Sequence, residues 1–241
     1  MNRDLEAFSD SLAHDLKTPL LTVTNFSYYL NEALAGSLDE QQEDYLQRIR
    51  AAGQQMMHII DDLRDLADVS RAEIRQEKVD LTSLARGIID ELSALDPDRH
   101  VTFEAEAGIT ASGDGRLLRL LLTNLLQNAW KYTGLSDRPR IDVFATQEED
   151  LVPVYHVRDN GIGFDNVHAE RIFLAFERLE TGRGFSGSGL GLATVERIVH
   201  RHGGRVWAEG ESGKGAVVHF TLASSPADVP GLIIERRANA R

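Results

Sequence analysis

The stretch YLQRIRAAGQQMMHIIDDLRDL, residues 45–66, places Tyr45, Ile49, Ala52, Met56, Ile59, Leu63 and Leu66 at alternating intervals of four and three. That spacing predicts the heptad seam of a helix packed lengthwise against other helices. Towards the N-terminus, apolar residues recur at three- and four-residue intervals from Leu5 to about Leu34, with Pro19 inside the run. This predicts a long helix with a bend. Between the two, Ala35-Gly36-Ser37 marks a break, and Ser37-Leu38-Asp39-Glu40 has the form of a capping box built on Ser37 and Glu40. Two helices of ~30 residues joined by a short loop make an antiparallel hairpin that cannot cover its own apolar stripe. Two such hairpins paired as a four-helix bundle would cover it, so a homodimer is expected. An intramolecular bundle would need a second pair of long amphipathic helices, which this sequence lacks.

Towards the C-terminus, SRAEIRQEKVD (70–80) is charged, carries no seam and reads as a connection. Beyond it the pattern predicts a helix at Leu81–Leu95, strands at VTFEAEA and ITASGD, a helix at Gly115–Tyr132, and strands at RIDVFAT and VYHVRD. Helices near Ala169–Arg178 and Leu190–His202 and a hairpin of RVWAEG with AVVHFTL complete it. Mixed elements in this order indicate an α/β sandwich with helices over one face of a largely antiparallel sheet. The expected division is a dimerisation unit at 1–72, a linker at 73–80, a second domain at 81–223 and a tail at 224–241.

Bulk composition narrows the function. The formal net charge of −12 disfavours nucleic acid or an anionic membrane as the main partner. With no cysteine, thiol catalysis and zinc-thiolate sites are excluded, and a reducing cytoplasmic setting fits. No apolar run approaches the ~18–20 residues of a membrane span, and the start MNRDLEAFSD lacks the basic and apolar regions of a signal peptide.

Within the first helix, Ser11-Leu12-Ala13-His14-Asp15-Leu16-Lys17-Thr18-Pro19-Leu20 sets a histidine beside an acid, with a hydroxyl four residues on. Leu12, Leu16 and Leu20 are expected to face the bundle and His14 to point outward. A neutral imidazole can attack phosphorus if a neighbour orients it or takes its proton, and Asp15 is placed to do so. Thr18, one turn along, can hold a water for attack on phosphohistidine, the reverse chemistry.

Three segments of the second domain share one logic. On the helix Leu121–Tyr132, Asn124 and Asn128 stand at i and i+4, where amide oxygens can complete the shell of a Mg²⁺ that also holds phosphates. Lys131 can reach a phosphate and Tyr132 can border a nucleotide. Asp159-Asn160-Gly161-Ile162-Gly163-Phe164 follows a strand, and its carboxylate can accept a hydrogen bond from the exocyclic amine of adenine. Gly187-Ser188-Gly189-Leu190-Gly191-Leu192-Ala193 opens a helix whose free N–H groups favour phosphate, without the GK[ST] ending of a Walker loop.

Taken together, the His14 segment resembles the H box of HisKA-type histidine kinases, with Asp15 where glutamate is more usual. The three later segments resemble the N, G1 and G2 boxes of the histidine kinase catalytic domain, part of the GHKL ATPase superfamily shared with gyrase, MutL and heat-shock chaperones. Ile172–Arg178 resembles the F box, Glu180–Ser186 the nucleotide lid, and His202–Glu209 with Gly213–Gly215 the phytochrome-like group of kinases. The resemblance covers roughly Phe8 to Leu222. It implies a dimeric four-helix bundle followed by a GHKL-type α/β sandwich. It implies an ATP site formed by Asn124, Asn128, Lys131, Tyr132, Asp159, Gly161, Gly163, Arg178, Gly187, Ser188, Gly189, Leu190 and Gly191, with Mg²⁺ on Asn128. It further implies autophosphorylation of His14, aided by Asp15 and with Thr18 serving dephosphorylation, then transfer to an aspartate of a response-regulator receiver domain. A sensory domain or protein is expected upstream, outside this chain. Gyrase, MutL and chaperone ATPases lack a preceding helical hairpin with an HDLKTP segment, and a silent scaffold would not keep Asn124, Asn128, Asp159 and the G2 glycines together.

Overall fold

The computed structural model describes residues 2–71, 73–147, 152–179, 185 and 187–223, with side chains from residue 16 onward. The expected tail (224–241) and most of the expected lid lie outside the described residues. Helices α1 (Asn2–Ala33) and α2 (Glu40–Arg71) pack side by side as an antiparallel hairpin. Lys17 Nζ pairs with Asp61 at 2.9 Å, Leu20 packs on Ile60, and Thr24 lies against Gly53. Helix α1 continues through Pro19 rather than dividing there.

Two local expectations are corrected. The capping box of α2 is built on Asp39 rather than Ser37: Asp39 Oδ1 accepts the Gln42 N–H at 2.8 Å, and Gln42 Oε1 accepts the Asp39 N–H at 3.1 Å. Ser37 instead closes the preceding turn, donating its N–H to Leu34 O at 2.8 Å past Gly36, whose φ is +77°. The seam of α2 is also rotated. Gly53, Met57 and Ile60 face α1, each one position beyond the predicted Ala52, Met56 and Ile59, a turn of about 100°. Tyr45, Ile49 and Met56 are 54%, 45% and 47% exposed, and Leu16, expected inside, is 53% exposed while Leu20 is buried. Gly53 explains the rotation: a Cβ there would stand 2.6 Å from Thr24 Oγ1, so a glycine lets the helices approach on that face.

In the second unit, β1 (Glu77–Asp80) pairs antiparallel with β3 (Thr110–Gly113). The main sheet has the order β2 (Thr102–Ala105), β4 (Arg140–Thr146), β5 (Val154–Asp159), β7 (Gly215–Thr221), β6 (Val206–Glu211), and only β2–β4 is parallel. Helices α3 (Leu81–Leu95), α4 (Gly115–Tyr132) and α5 (Gly191–Arg201) join the sheet in one core. Its centre is the leucine-rich face of α4, where Leu117, Leu118, Leu121, Leu122, Leu125 and Leu126 are all buried. Each such side chain contributes about 1.5–3 kcal/mol by leaving water.

The expected linker is partly structured, because 77–80 is strand β1 and Arg75 donates its N–H to Asp114 Oδ2 at 3.2 Å. Asp114 also caps α4 through Leu117 N at 3.1 Å, and its own N–H is accepted by Nε2 of the buried His202 at 3.0 Å. His202 Nδ1 donates to Ile198 O at 2.8 Å, so the ring is held neutral, and burial lowers its pKa. The helix expected near Ala169–Arg178 is instead two short 3₁₀ turns, Asn166–His168 and Arg171–Phe173. Across the sheet, one cross-strand row runs Phe144, His156, His219, Trp207, with His156 Nδ1 2.7 Å from His219 Nδ1. Burial lowers both histidines, which favours the neutral pair that this bond requires.

Candidate nucleotide-binding site

The C-terminal half of α4, the turn after β5 and the glycine loop before α5 converge on a cavity of about 850 Å³. Helical spacing sets Asn124, Asn128 and Lys131 on one face of α4, all lining the cavity. Asn124 Nδ2 donates to Leu120 O at 3.0 Å. Its Oδ1 is thereby turned to Gly191, where a Cβ would stand only 2.7 Å away, so the amide and the start of α5 fit together through a glycine. Lys131 Nζ donates to Asn128 Oδ1 at 3.2 Å and lies 4.2 Å from the centre of the Tyr132 ring. Tyr132 in turn meets the edge of Phe185, with centroids 5.3 Å apart.

At the inner end, Asp159 closes β5 and accepts the Gly161 N–H at 2.8 Å. Desolvation pushes its carboxyl up to about 6, against the lowering effect of hydrogen bonds from the Gly161 and Ala216 amides. The group is therefore mainly ionised at pH 7, an acceptor in an otherwise apolar recess that includes Val157, Ile162, Phe164, Ile172 and Val218. Gly163 shapes the turn: its φ is +59°, and a Cβ there would stand 2.0 Å from Glu211 O. At the outer end, Ser188 Oγ accepts the Leu190 N–H at 3.1 Å, and no side chain caps α5. The first-turn N–H groups of α5 are thus available to an anion. Phe176 has φ +64°, a strained conformation for a bulky residue, and its N–H bonds Gly189 O at 3.0 Å, tying the F-box segment to the glycine loop.

The cavity has a fourth wall that sequence reasoning missed. Ala51, Gln54, Gln55, His58, Asp61 and Asp62 of α2 line it, and Ser188 Oγ donates to Asp62 Oδ2. Their spacing of three and four does mark one helix face, but a polar face of this kind reads equally as solvated surface. Phe185 was also missed, as an isolated aromatic within a glycine-rich stretch.

Every residue expected at the ATP site lines the cavity except Gly161 and Leu190. Gly161 lies behind the wall, where a Cβ would meet Tyr132 O at 2.4 Å, and Leu190 is fully buried beneath the loop. His14 and Asp15 lie on α1, but their side chains fall outside those described; Thr18 is exposed and is not part of the wall. A second cavity of about 870 Å³ lies along β2, β4 and β5. Its Arg140, Glu104 and Asp142 are paired with one another, and it holds none of the motif residues.

Residues 4–71 match the His Kinase A (phospho-acceptor) domain, and residues 113–226 match the histidine kinase-, DNA gyrase B- and HSP90-like ATPase family. Cyanobacterial phytochrome B of Nostoc sp. (strain PCC 7120) is 31% identical over 92% of this chain and 30% of its own length. The methanogenesis regulatory histidine kinase FilI of Methanothrix harundinacea is 34% identical over 92% of this chain and 25% of its own. The chain thus spans less than a third of these relatives. Full-length ShkA, solved in complex with AMPPNP, superposes with a TM-score of 0.65 at 27% identity over 91% of this chain and 47% of that one.

Proposed function

The chain belongs to the sensor histidine kinases, and from that premise we propose that it binds ATP in the α4–β5–α5 cavity, phosphorylates its own His14 and passes the phosphoryl group to an aspartate of a response-regulator receiver domain. The single observation that carries the reading is the convergence of Asn124, Asn128 and Lys131, the Asp159 carboxylate and the uncapped α5 N-terminus on one cavity.

Asp159 accepts the adenine amino group, a preference for adenine over guanine, and the apolar recess around it takes the base. Lys131 and the α5 amides hold the phosphates, and Tyr132 and Arg178 flank the nucleotide. Among the described residues no cluster of His, Asp or Glu forms an all-protein metal cage. The amide oxygens of Asn124 and Asn128 suit Mg²⁺, which takes few protein ligands beside phosphate and water, with Asn128 the expected ligand. Bound there, the ion would neutralise phosphate charge. An imidazole nitrogen of His14 attacks the γ-phosphorus in line as the bond to the ADP oxygen breaks, while Asp15 takes or orients the ring proton. Thr18 serves hydrolysis of the regulator's phosphate by holding a water.

Residues 1–72 act as the dimerisation and acceptor unit and 81–223 as the catalytic domain, joined through 73–80, whose last four residues form β1 on the catalytic side. The exposed stripe Tyr45, Ile49 and Met56 is covered by a second copy. Among the described residues no helix is long and apolar enough to cross a membrane, and the setting proposed is the cytoplasm.

The test is incubation with γ-labelled ATP and Mg²⁺, followed by addition of a receiver domain. Acid-labile label on the parent, transferable to the receiver's aspartate and absent from Asn128→Ala, is expected. Equal labelling of Asn128→Ala, or acid-stable label, would overturn the reading.

A further inference from the structure

The glycine loop that should hold the terminal phosphates already has an anionic partner, and that partner comes from the other unit of the same chain. Ser188 Oγ donates to the Asp62 carboxylate, while the same oxygen accepts the Leu190 N–H at 3.1 Å. Asp61, next to it on the same cavity wall, is paired with Lys17 at 2.9 Å. Further along α2, Arg197 Nε of α5 donates to Ser70 Oγ at 3.1 Å, and Arg201 donates to Val69 O. Val69 is itself fully buried in the catalytic core. Helix α5, which begins at the phosphate loop, is therefore fastened to α2 at both of its ends.

We infer that Asp62 is an autoinhibitory stand-in for phosphate: its carboxylate occupies the Ser188 end of the site and must leave for ATP to bind fully. A carboxylate and a phosphate oxygen want the same donors, a serine hydroxyl and the amides at a helix N-terminus. They also repel, so Asp62 on the wall cannot accommodate a triphosphate without a rise in energy. The closed arrangement is the low-affinity state, and nucleotide binding is reduced by the fraction of molecules held in it. Anything that moves α2 relative to α5 changes that fraction, so a displacement within the hairpin is converted into a change in ATP affinity. The Arg197–Ser70 contact works in the same direction as the Asp62–Ser188 contact, since both hold α5 against α2.

This inference rests on the nucleotide reading above and is tested by direct binding. Affinities of the whole chain for a fluorescent ATP analogue and for adenosine, each with Mg²⁺, are compared among the parent, Asp62→Asn, Arg197→Ala and the remote control Asp44→Asn. Asp62→Asn is expected to bind the ATP analogue about tenfold more tightly, with little change for adenosine, which carries no phosphate. Arg197→Ala should shift in the same direction by less, and Asp44→Asn should match the parent. A parent that binds no nucleotide would sink the nucleotide reading itself. A parent that binds, with Asp62→Asn unchanged or weaker, would leave that reading standing and overturn the latch. Equal tightening by Asp44→Asn would reduce the effect to general charge and overturn it too.

Discussion

Helices α2 and α4 are written in the same amphipathic code but are completed differently. On α4, the leucines from Leu117 to Leu126 are answered within the chain by α3, α5 and the sheet, and all but the half-buried Leu120 are buried. On α2, Gly53, Met57 and Ile60 are answered by α1, while Tyr45, Ile49 and Met56 are left open to solvent. The difference teaches that a seam read from periodicity identifies a face that needs a partner without saying which partner. The site depends on the closed half, because α4's buried face fixes Asn124, Asn128 and Lys131 on its other side. The open half is the face assigned above to a second copy.

The largest effect that would sharpen this contrast is loss of the closed core. Leu121→Ala is expected to cost about 2–5 kcal/mol of unfolding free energy, read from chemical denaturation. The paired substitution Ile49→Glu with Met56→Glu should leave that transition in place and convert dimer to monomer in sedimentation; unfolding of the catalytic unit by this variant would break the contrast.

Next comes Asp159. Its folded pKa of about 6 lies above the ordinary 3.8, so the native state binds this proton more tightly than the unfolded chain does. The ionised group opposes folding at pH 7 by on the order of 2–3 kcal/mol, and the penalty fades as pH falls through 6 towards 4. Asp159→Asn should therefore stabilise the nucleotide-free protein at pH 7 while weakening ATP binding about tenfold or more. In the parent, nucleotide affinity should decline as pH falls through 6, measured by calorimetric titration.

The histidines carry the opposite sign. His156, His202 and His219 have folded pKa values lowered by burial, so their stabilising contribution is present above the unfolded value and is lost as pH falls below it. Asp159→Asn removes the compensating term, and its denaturation midpoint should fall more steeply between pH 7 and 5 than the parent's. His202→Asn should reduce that slope. The smallest effect belongs to the hairpin: Asp39→Ala should cost about 1 kcal/mol as a lost cap, and Ser37→Ala almost nothing.

These cases also mark what the sequence could reveal. Helices α3 and α4 and strands β4 and β5 have the bounds expected from their patterns, since apolar periodicity and core burial coincide there. The cavity-lining residues of the candidate site could be picked out because amides at i and i+4, an acid ending a strand and a glycine loop opening a helix each have a local chemical meaning. The α2 wall was not, because nothing in Gln54, His58 or Asp62 distinguishes a face packed on another domain from one in water. The rotation of the α2 seam turned on one glycine opposite Thr24, a tertiary contact with no local mark. Similarly, 169–178 has helical spacing, but its chain is drawn aside by the Phe176–Gly189 hydrogen bond and the positive φ at Phe176.

The phosphate acceptor proposed above is His14, and among the described side chains His58 is the histidine that lines the cavity. Labelling His14→Gln and His58→Gln side by side with γ-labelled ATP separates them. Loss of acid-labile label in His14→Gln, with label retained in His58→Gln, is the outcome this account predicts; label that survives His14→Gln and disappears with His58→Gln would contradict it.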